Sequence, residues 1–380
     1  MFNFLKLTSV ILIFCAPLIT NAQEHKNQNQ IDGPYVLYRG DSIIVKETKS
    51  SSKDNIKAYS YSIPKNKKKN LTLDIKFSND STKNFKVQLR DEIENETPVW
   101  EQPKKMFIIS DVEGEFDAFR DLLLANKIIN NKYEWIFGKG HLVLCGDLFD
   151  RGKDVPATLW LLYKLEDDAR KKGGYVHTIL GNHDIMNMAG DLRYLEKKYL
   201  KSAEAMEVSY MDLYTENTEL GRWLRSKNLV EKIGENLCLH GGISVEIAKL
   251  GLDVAQLNKL ARSYYGWKDL KKTVSDDTIL KIYSGTIGLF WYRGYFVEPL
   301  IEESAVDDIL RQFNAKRIII GHTIVKSNIA FYYHGKVLGV DVNQHKGNHQ
   351  AVLYKNKKWY KLDLTGNKTL LHELSFPIKQ

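Results

Sequence analysis

Two stretches, Leu142-Val143-Leu144-Cys145-Gly146-Asp147-Leu148-Phe149-Asp150-Arg151-Gly152 and Val176-His177-Thr178-Ile179-Leu180-Gly181-Asn182-His183-Asp184, decide the architecture of this chain. Each opens as a short apolar run and closes on a glycine followed by carboxylate, amide or imidazole side chains. A run of roughly 4–8 apolar residues bounded by turn signals reads as a buried strand, so each stretch is a strand that delivers polar groups at its carboxyl end. Between them, Pro156 opens a helix that Gly173-Gly174 ends, the usual asymmetry of proline at the start and glycine at the stop. Strand, helix, strand with functional groups at strand ends implies an α/β fold.

The same grammar recurs on both sides. Residues 107–109 form an apolar run that delivers Asp111 and Glu113 in Ser110-Asp111-Val112-Glu113-Gly114. A helix follows, with Phe116, Phe119, Leu122 and Leu123 on one face at helical spacing. Residues 237–239 deliver His240 in His240-Gly241-Gly242, residues 317–320 deliver His322 in Gly321-His322-Thr323, and residues 337–340 deliver Asp341. Two helix-rich interruptions, at about 185–235 and 245–285, sit beside these motifs and read equally well as a lid or as added packing.

Upstream, short alternating runs at 35–38, 42–45, 56–61, 71–77 and 85–89, separated by Ser, Asn, Asp and Lys clusters, give a small antiparallel β-module over residues 31–90. It holds no chemical constellation and reads as accessory. The run Lys65-Asn66-Lys67-Lys68-Lys69 reads as a turn between strands, and residues 91–105, with Pro98 and Pro103, as a linker to a main domain over 104–375.

The first 22 residues have the pattern of a secretory signal: Lys6, an apolar core over 10–19, then Thr20-Asn21-Ala22. The apolar stretch is short for a membrane span. Phe14 is bulky where a lipobox before Cys15 would have a small residue, so cleavage near Ala22 is expected in preference to a lipid anchor. The mature chain would be periplasmic or secreted. Cleavage leaves Cys145 and Cys238, each inside an apolar run, which read as buried free thiols. The net charge of +8 over 380 residues suits anionic substrates as well as a plain basic surface. The lysine run lacks interleaved aromatics, which argues against a nucleic-acid partner.

The motif residues supply what two-metal hydrolysis of a phosphate ester requires: a carboxylate bridging two cations, further N and O donors, cationic groups for the phosphate and an acid for the leaving group. Asp147 is the natural bridge. Asp111 and Glu113 would complete one site, and Asn182, His240 and His322 the other. His183, beside Asn182, is left as the general acid, with Asp150 to orient its imidazole. Arg151 offers a bidentate grip on phosphate. The signal lies in the set, since Asp-x-Glu or Gly-His-Thr alone carries little. Asp341 reads as a supporting residue or an ordinary strand-terminal aspartate. His141 and His177 read as structural, His345 and His349 as surface residues, and Trp135, Trp160 and Trp223 as core.

This order of motifs resembles the calcineurin-like metallophosphoesterases, most closely their phosphoprotein phosphatase branch and its Shewanella-like bacterial members. The resemblance spans about residues 106–342. It implies a β-sandwich flanked by helices in four layers, α/β/β/α, with metals at the strand ends. It also implies metal binding by Asp147, Asn182, His240 and His322, acid catalysis by His183 backed by Asp150, and a second phosphate arginine at Arg293 in Trp291-Tyr292-Arg293-Gly294. Two positions depart from the family pattern: Asp184 stands where glutamate is more frequent, and Glu113 where histidine is usual. Asp111, Glu113 and Asp147 bring three negative charges, so two divalent cations with one hydroxide would make a nearly neutral core. That favours hard cations, Mn or Fe/Mn, with Mg or Zn as further candidates.

The expectation is therefore an exported metal-dependent phosphatase acting on phosphoproteins or small phosphate esters. A nucleotide or dinucleoside-polyphosphate hydrolase is the alternative enzyme, and a non-catalytic phospho-ligand binder, for which only Glu113 speaks, the alternative of another class.

Overall fold

The computed structural model describes residues 30–52, 55–325 and 328–372. The expectations for the first 22 residues, Cys15 included, lie outside them. Two six-stranded sheets form the main body. In the first, Lys105–Ile109, His141–Cys145 and Tyr175–Ile179 run parallel, extended antiparallel by Gln350–Lys355, Lys358–Asp363 and Lys368–Leu370. In the second, Asn236–Leu239, Arg317–Ile320 and Val337–Gly339 run parallel. Their Ile, Leu and Val side chains are buried on both faces, as parallel strands covered on each side require.

Register is what gathers the motifs. Ile109 pairs with Leu144 and Cys145 with Ile179, so Asp111, Asp147 and Asn182 emerge side by side. Leu239 pairs with Ile320 and Ile320 with Gly339, which brings His240, His322 and Asp341 to the matching edge of the other sheet. The sheets meet there, with His240 Nδ1 lying 2.8 Å from the Cys145 carbonyl oxygen. Elsewhere between the sheets, His177 Nδ1 lies 2.6 Å from Glu231 and its Nε2 2.8 Å from His141, so both histidines are structural. Cys145 and Cys238 are buried and free.

Helices cover both outer faces. Val155–Lys171, with Pro156 in its first turn and Gly173 at φ 72° past its end, lies on Tyr175–Ile179, and Val254–Arg262 lies on Val230–Ile233. Trp135, Trp160 and Trp223 are all in the core. Among the described residues no helix is long and apolar enough to cross a membrane.

The N-terminal strands Gln30–Arg39, Ser42–Ser52 and Asn55–Pro64 form an antiparallel meander, with Thr72–Ile75 and Phe85–Gln88 a separate hairpin. Lys65–Asn70 is a short 3-10 helix joining them. The module is packed onto the main body: Trp160 Nε1 donates to the Pro34 carbonyl at 2.8 Å, and Tyr38 and Tyr163 share the buried carboxylate of Glu219. The stretch read as a linker is likewise tied down. Val99–Trp100 adds a strand to the second sheet, and Glu96 and Glu166 both pair with the buried Lys227, while Arg90 reaches Glu166 at 2.8 Å. A segment with two prolines and many polar residues looks like a spacer in sequence; burial of its charges against charges far along the chain is what makes it part of the body.

Candidate metal centre and catalytic dyad

The loops that carry the motifs are shaped by unusual backbone. Asp111, Glu113, Asp147, Asp150, Arg151 and His322 all have positive φ, between 43° and 73°. Such conformations cost a non-glycine residue about 1–3 kcal/mol each, and they cluster where function holds them in place. Glycines make the close approaches: a Cβ at Gly181 would collide with the Asp147 carboxylate, and one at Gly321 with Ser110 and Asp111.

Asp147 is the hub. Its Oδ1 accepts from the His183 N–H at 2.9 Å; its Oδ2 lies 3.1 Å from His240 Nε2 and 3.8 Å from His183 Nε2. Burial works against its ionisation, but the His240 and His183 imidazoles outweigh that and hold the carboxyl below the usual range. Asn182 Oδ1 sits 2.9 Å from His240 Nε2. One donor atom each from Asp147, His240 and His322 lie within 4.8 Å of one another, as do donors from Glu113, Asp147 and His183. Asp111 accepts from the His322 N–H at 3.1 Å and from the Ser110 hydroxyl. Burial, then the Asp341 and Asp147 charges, push its carboxyl well above the usual range. Burial, with His240 and Arg293 nearby, keeps His322 neutral, the state a metal ligand needs. Four buried carboxylates, Asp111, Glu113, Asp147 and Asp341, thus crowd one end of the sandwich beside two imidazoles and an amide. That oxygen-rich set fits divalent cations, whose charge would offset a repulsion that burial otherwise intensifies.

His183 forms the second element. Its Nδ1 lies 2.5 Å from Asp150 Oδ2, and Asn187 Nδ2 donates to Asp150 Oδ1 at 2.8 Å. Asp150 can only accept, so Nδ1 carries the proton and Nε2 faces the hub. Burial lowers the proton affinity of this imidazole, but Asp147 and Asp150 raise it further, so the net shift is upward.

The family model described as calcineurin-like phosphoesterase matches residues 104–326, more than half of the chain. The chain belongs to that family. A calcineurin-like phosphoesterase is a metal-dependent phosphatase, and divalent cations are what its buried carboxylates and imidazoles are suited to hold. Among curated relatives, Shewanella-like protein phosphatase 2 of Arabidopsis thaliana is 24% identical over 294 residues, covering 65% of this chain and 73% of its own length. An uncharacterised protein of Schizosaccharomyces pombe is 29% identical over 249 residues, covering 63% and 73%. Among solved structures, the cold-active protein-tyrosine phosphatase of a psychrophilic Shewanella is 34% identical with a TM-score of 0.80, covering 90% of this chain and all of that one. Residues 104 onward cannot alone make up 90% of the chain, so the likeness runs into the N-terminal module, beyond the span the motifs suggest.

Several residues of the site have roles that the phosphoesterase motifs leave unstated, Asp184 inside a motif and the others outside. Asp184 accepts from four backbone N–H groups, those of Gly181 at 2.7 Å, Leu148 at 2.8 Å, Asp147 at 3.2 Å and Phe149 at 3.3 Å, and so ties the two central loops together. Burial and the Asp147 charge push its carboxyl up to about 7. Tyr210, from the first helix-rich interruption, donates to Asn187 Oδ1 at 3.0 Å and so stands behind Asp150. That interruption does more than fill space: it braces the dyad. His345, read from sequence as a surface residue, places Nδ1 2.9 Å from Glu113 Oε2, while Arg151 pairs with Glu113 Oε1. A histidine in a polar loop gives no sequence sign of such a contact. Arg293 donates to the His322 carbonyl at 2.7 Å, which seats it at the rim of the site.

Proposed function

We propose that this phosphoesterase is an exported, two-metal phosphatase of phosphate monoesters that acts on phosphoproteins. The observation that carries the reading is the aim of His183: one nitrogen held by Asp150, the other facing Asp147. A pure binder would have little need of an acid with an orienting partner. Asp111, Glu113 and Asp147 would hold one cation, and Asp147, Asn182, His240 and His322 the other, with Mn or an Fe/Mn pair preferred by the oxygen-rich first site. When bound, the cations supply Lewis-acid activation of water and neutralise phosphate charge. Arg151 and Arg293 grip the phosphate oxygens, and His183 gives its proton to the departing oxygen. The names of the similar proteins, protein phosphatases in plant and bacterium, support a phosphoprotein substrate, with phosphotyrosine and phosphoserine/threonine both within this chemistry.

A substrate panel on purified, metal-analysed protein tests this. Phosphopeptides should turn over at least about tenfold faster than dinucleoside tetraphosphates, a gap of the size that distinct binding contacts produce. The reverse order would make the chain a nucleotide hydrolase, and no turnover at full metal loading would make it a binder. Expressed with its first 22 residues in a bacterial host, the exported product should begin at Gln23; an intact, cytosolic chain would remove the export reading.

Glu113 has its own test. Glu113→Gln is expected to weaken divalent metal binding by about 10–100-fold or more, at least the loss seen when residues supporting metal ligands are changed. Glu113→His should restore binding with a preference shifted toward softer cations. Unchanged metal content and rate in both variants would remove Glu113 from the ligand set.

A further inference from the structure

The catalytic acid has an aromatic neighbour that the reaction as described leaves unused. Tyr194 lies in the first helix-rich interruption, eleven residues beyond His183. The ring centroids of Tyr194 and His183 are 5.0 Å apart, tilted by 50°. The Arg151 guanidinium stands 5.6 Å from the same ring, and the Arg151 N–H donates to the Tyr194 carbonyl at 3.3 Å. Despite this anchoring the residue is 46% exposed. The ring is thus fixed in place at its backbone and open to solvent on its side, between the acid and a phosphate-gripping arginine.

An acid must come within hydrogen-bond reach of the oxygen it protonates. Whatever carries that oxygen therefore lies beside His183, where Tyr194 offers its ring. From this placement we infer that Tyr194 is a specificity-determining residue, the platform for an aryl leaving group, so that the site favours phosphotyrosine over phosphoserine. In phosphotyrosine the ring is bonded directly to the departing oxygen and reaches Tyr194 while the phosphate stays with the arginines. The side chain of phosphoserine presents only a methylene there. Aromatic pairs prefer offset or edge-to-face contact at centroid separations of about 4.5–7 Å, and a ring anchored at its backbone loses little freedom on receiving a partner.

The alternative role for Tyr194 is to shield Arg151 from water. That would affect every phosphate ester equally, because Arg151 grips the group common to them all. The two roles separate in a ratio. Measure kcat/KM for one peptide carrying phosphotyrosine and for the same peptide carrying phosphoserine, in the metal-loaded wild type and in Tyr194→Phe, Tyr194→Leu and Tyr194→Ala. The phosphotyrosine-to-phosphoserine ratio should fall about fivefold in the Leu and Ala variants and stay within about twofold in Tyr194→Phe, the scale of one aromatic contact. The loss should appear mainly in KM, since the platform serves ground state and transition state alike. A ratio that does not move in Tyr194→Leu and Tyr194→Ala, or an equal fall for both peptides, overturns the inference. The inference rests on the phosphatase reading above, and the failures differ. Turnover by the wild type with an unmoved ratio removes only the role of Tyr194, whereas a wild type that cleaves neither peptide removes both.

Discussion

His183→Asn is expected to lower kcat on an alkyl phosphate by about 10³-fold, within the range that a positioned general acid contributes. The loss on p-nitrophenyl phosphate should be at least about tenfold smaller, because its departing oxygen is a weak base that needs little help from a proton. This dependence on the leaving group follows from the geometry. Asp150 fixes the Nδ1 proton, which leaves Nε2 alone facing the reaction. The sign of the pH effect follows as well. An acid must be protonated to act, and Asp147 and Asp150 raise the proton affinity of His183 despite its burial. The wild-type rate on the alkyl ester should therefore fall as pH rises through the upshifted His183 value, and that limb should be missing in the variant. Bound metal must be measured alongside, because His183 also has a ring nitrogen within 4.8 Å of donors on Glu113 and Asp147. Equal loss on both esters would remove the acid role. Loss of metal would make His183 a ligand instead.

What sequence reveals of this phosphoesterase, and what it hides, divides along a physical line. Apolar runs ending in glycine and a polar group were legible because burial on both faces demands unbroken Val, Ile and Leu, and because only glycine tolerates the contact made at Gly181 or Gly321. The carboxyl ends of the strands, and hence the gathering of Asp111, Asp147, Asn182, His240 and His322, followed from that local pattern. Contacts between distant segments leave no such trace. Glu96 looks like any polar linker residue until Lys227, more than a hundred positions later, is found buried against it. His345 looks like a surface residue until its loop returns to Glu113. Tyr194 and Tyr210 sit in a stretch whose helical pattern reports only which residues are apolar, not that the chain folds back over His183 and Asn187. The left-handed backbone at six site residues is nearly as quiet: four of them are Asp or His, types that adopt it more readily than most, but none is the glycine that would announce it.

The same crowding of charge that suits the site to cations should weaken the metal-free protein, and Asp111→Asn exposes that trade. The variant is expected to melt higher than wild type without metal, by about 2 °C if the relief is near 1 kcal/mol, and to lose at least about 100-fold in metal affinity, with activity falling accordingly. Asparagine still presents an oxygen to the His322 N–H and the Ser110 hydroxyl, so the contacts survive and only the ionisable carboxyl, whose deprotonation the site opposes, is removed. The direction follows from linkage. Burial, Asp341 and Asp147 push the Asp111 carboxyl above its unfolded value, so the native state holds a proton that the unfolded chain has released. Stability of the metal-free wild type should therefore rise as pH falls through the window between those two values, and Asp111→Asn should flatten that rise by up to one proton. Adding Mn²⁺ reverses the order. Cations bind the native state and not the unfolded chain, so the wild type gains stability with metal concentration, while the variant, short of a carboxylate, gains little. Thermal melts with chelator and with Mn²⁺, on both proteins, read all of this at once. A variant that melts lower without metal, or that keeps the full wild-type gain with it, would show that Asp111 is a packing residue and that the first cation, if bound, is held by other groups.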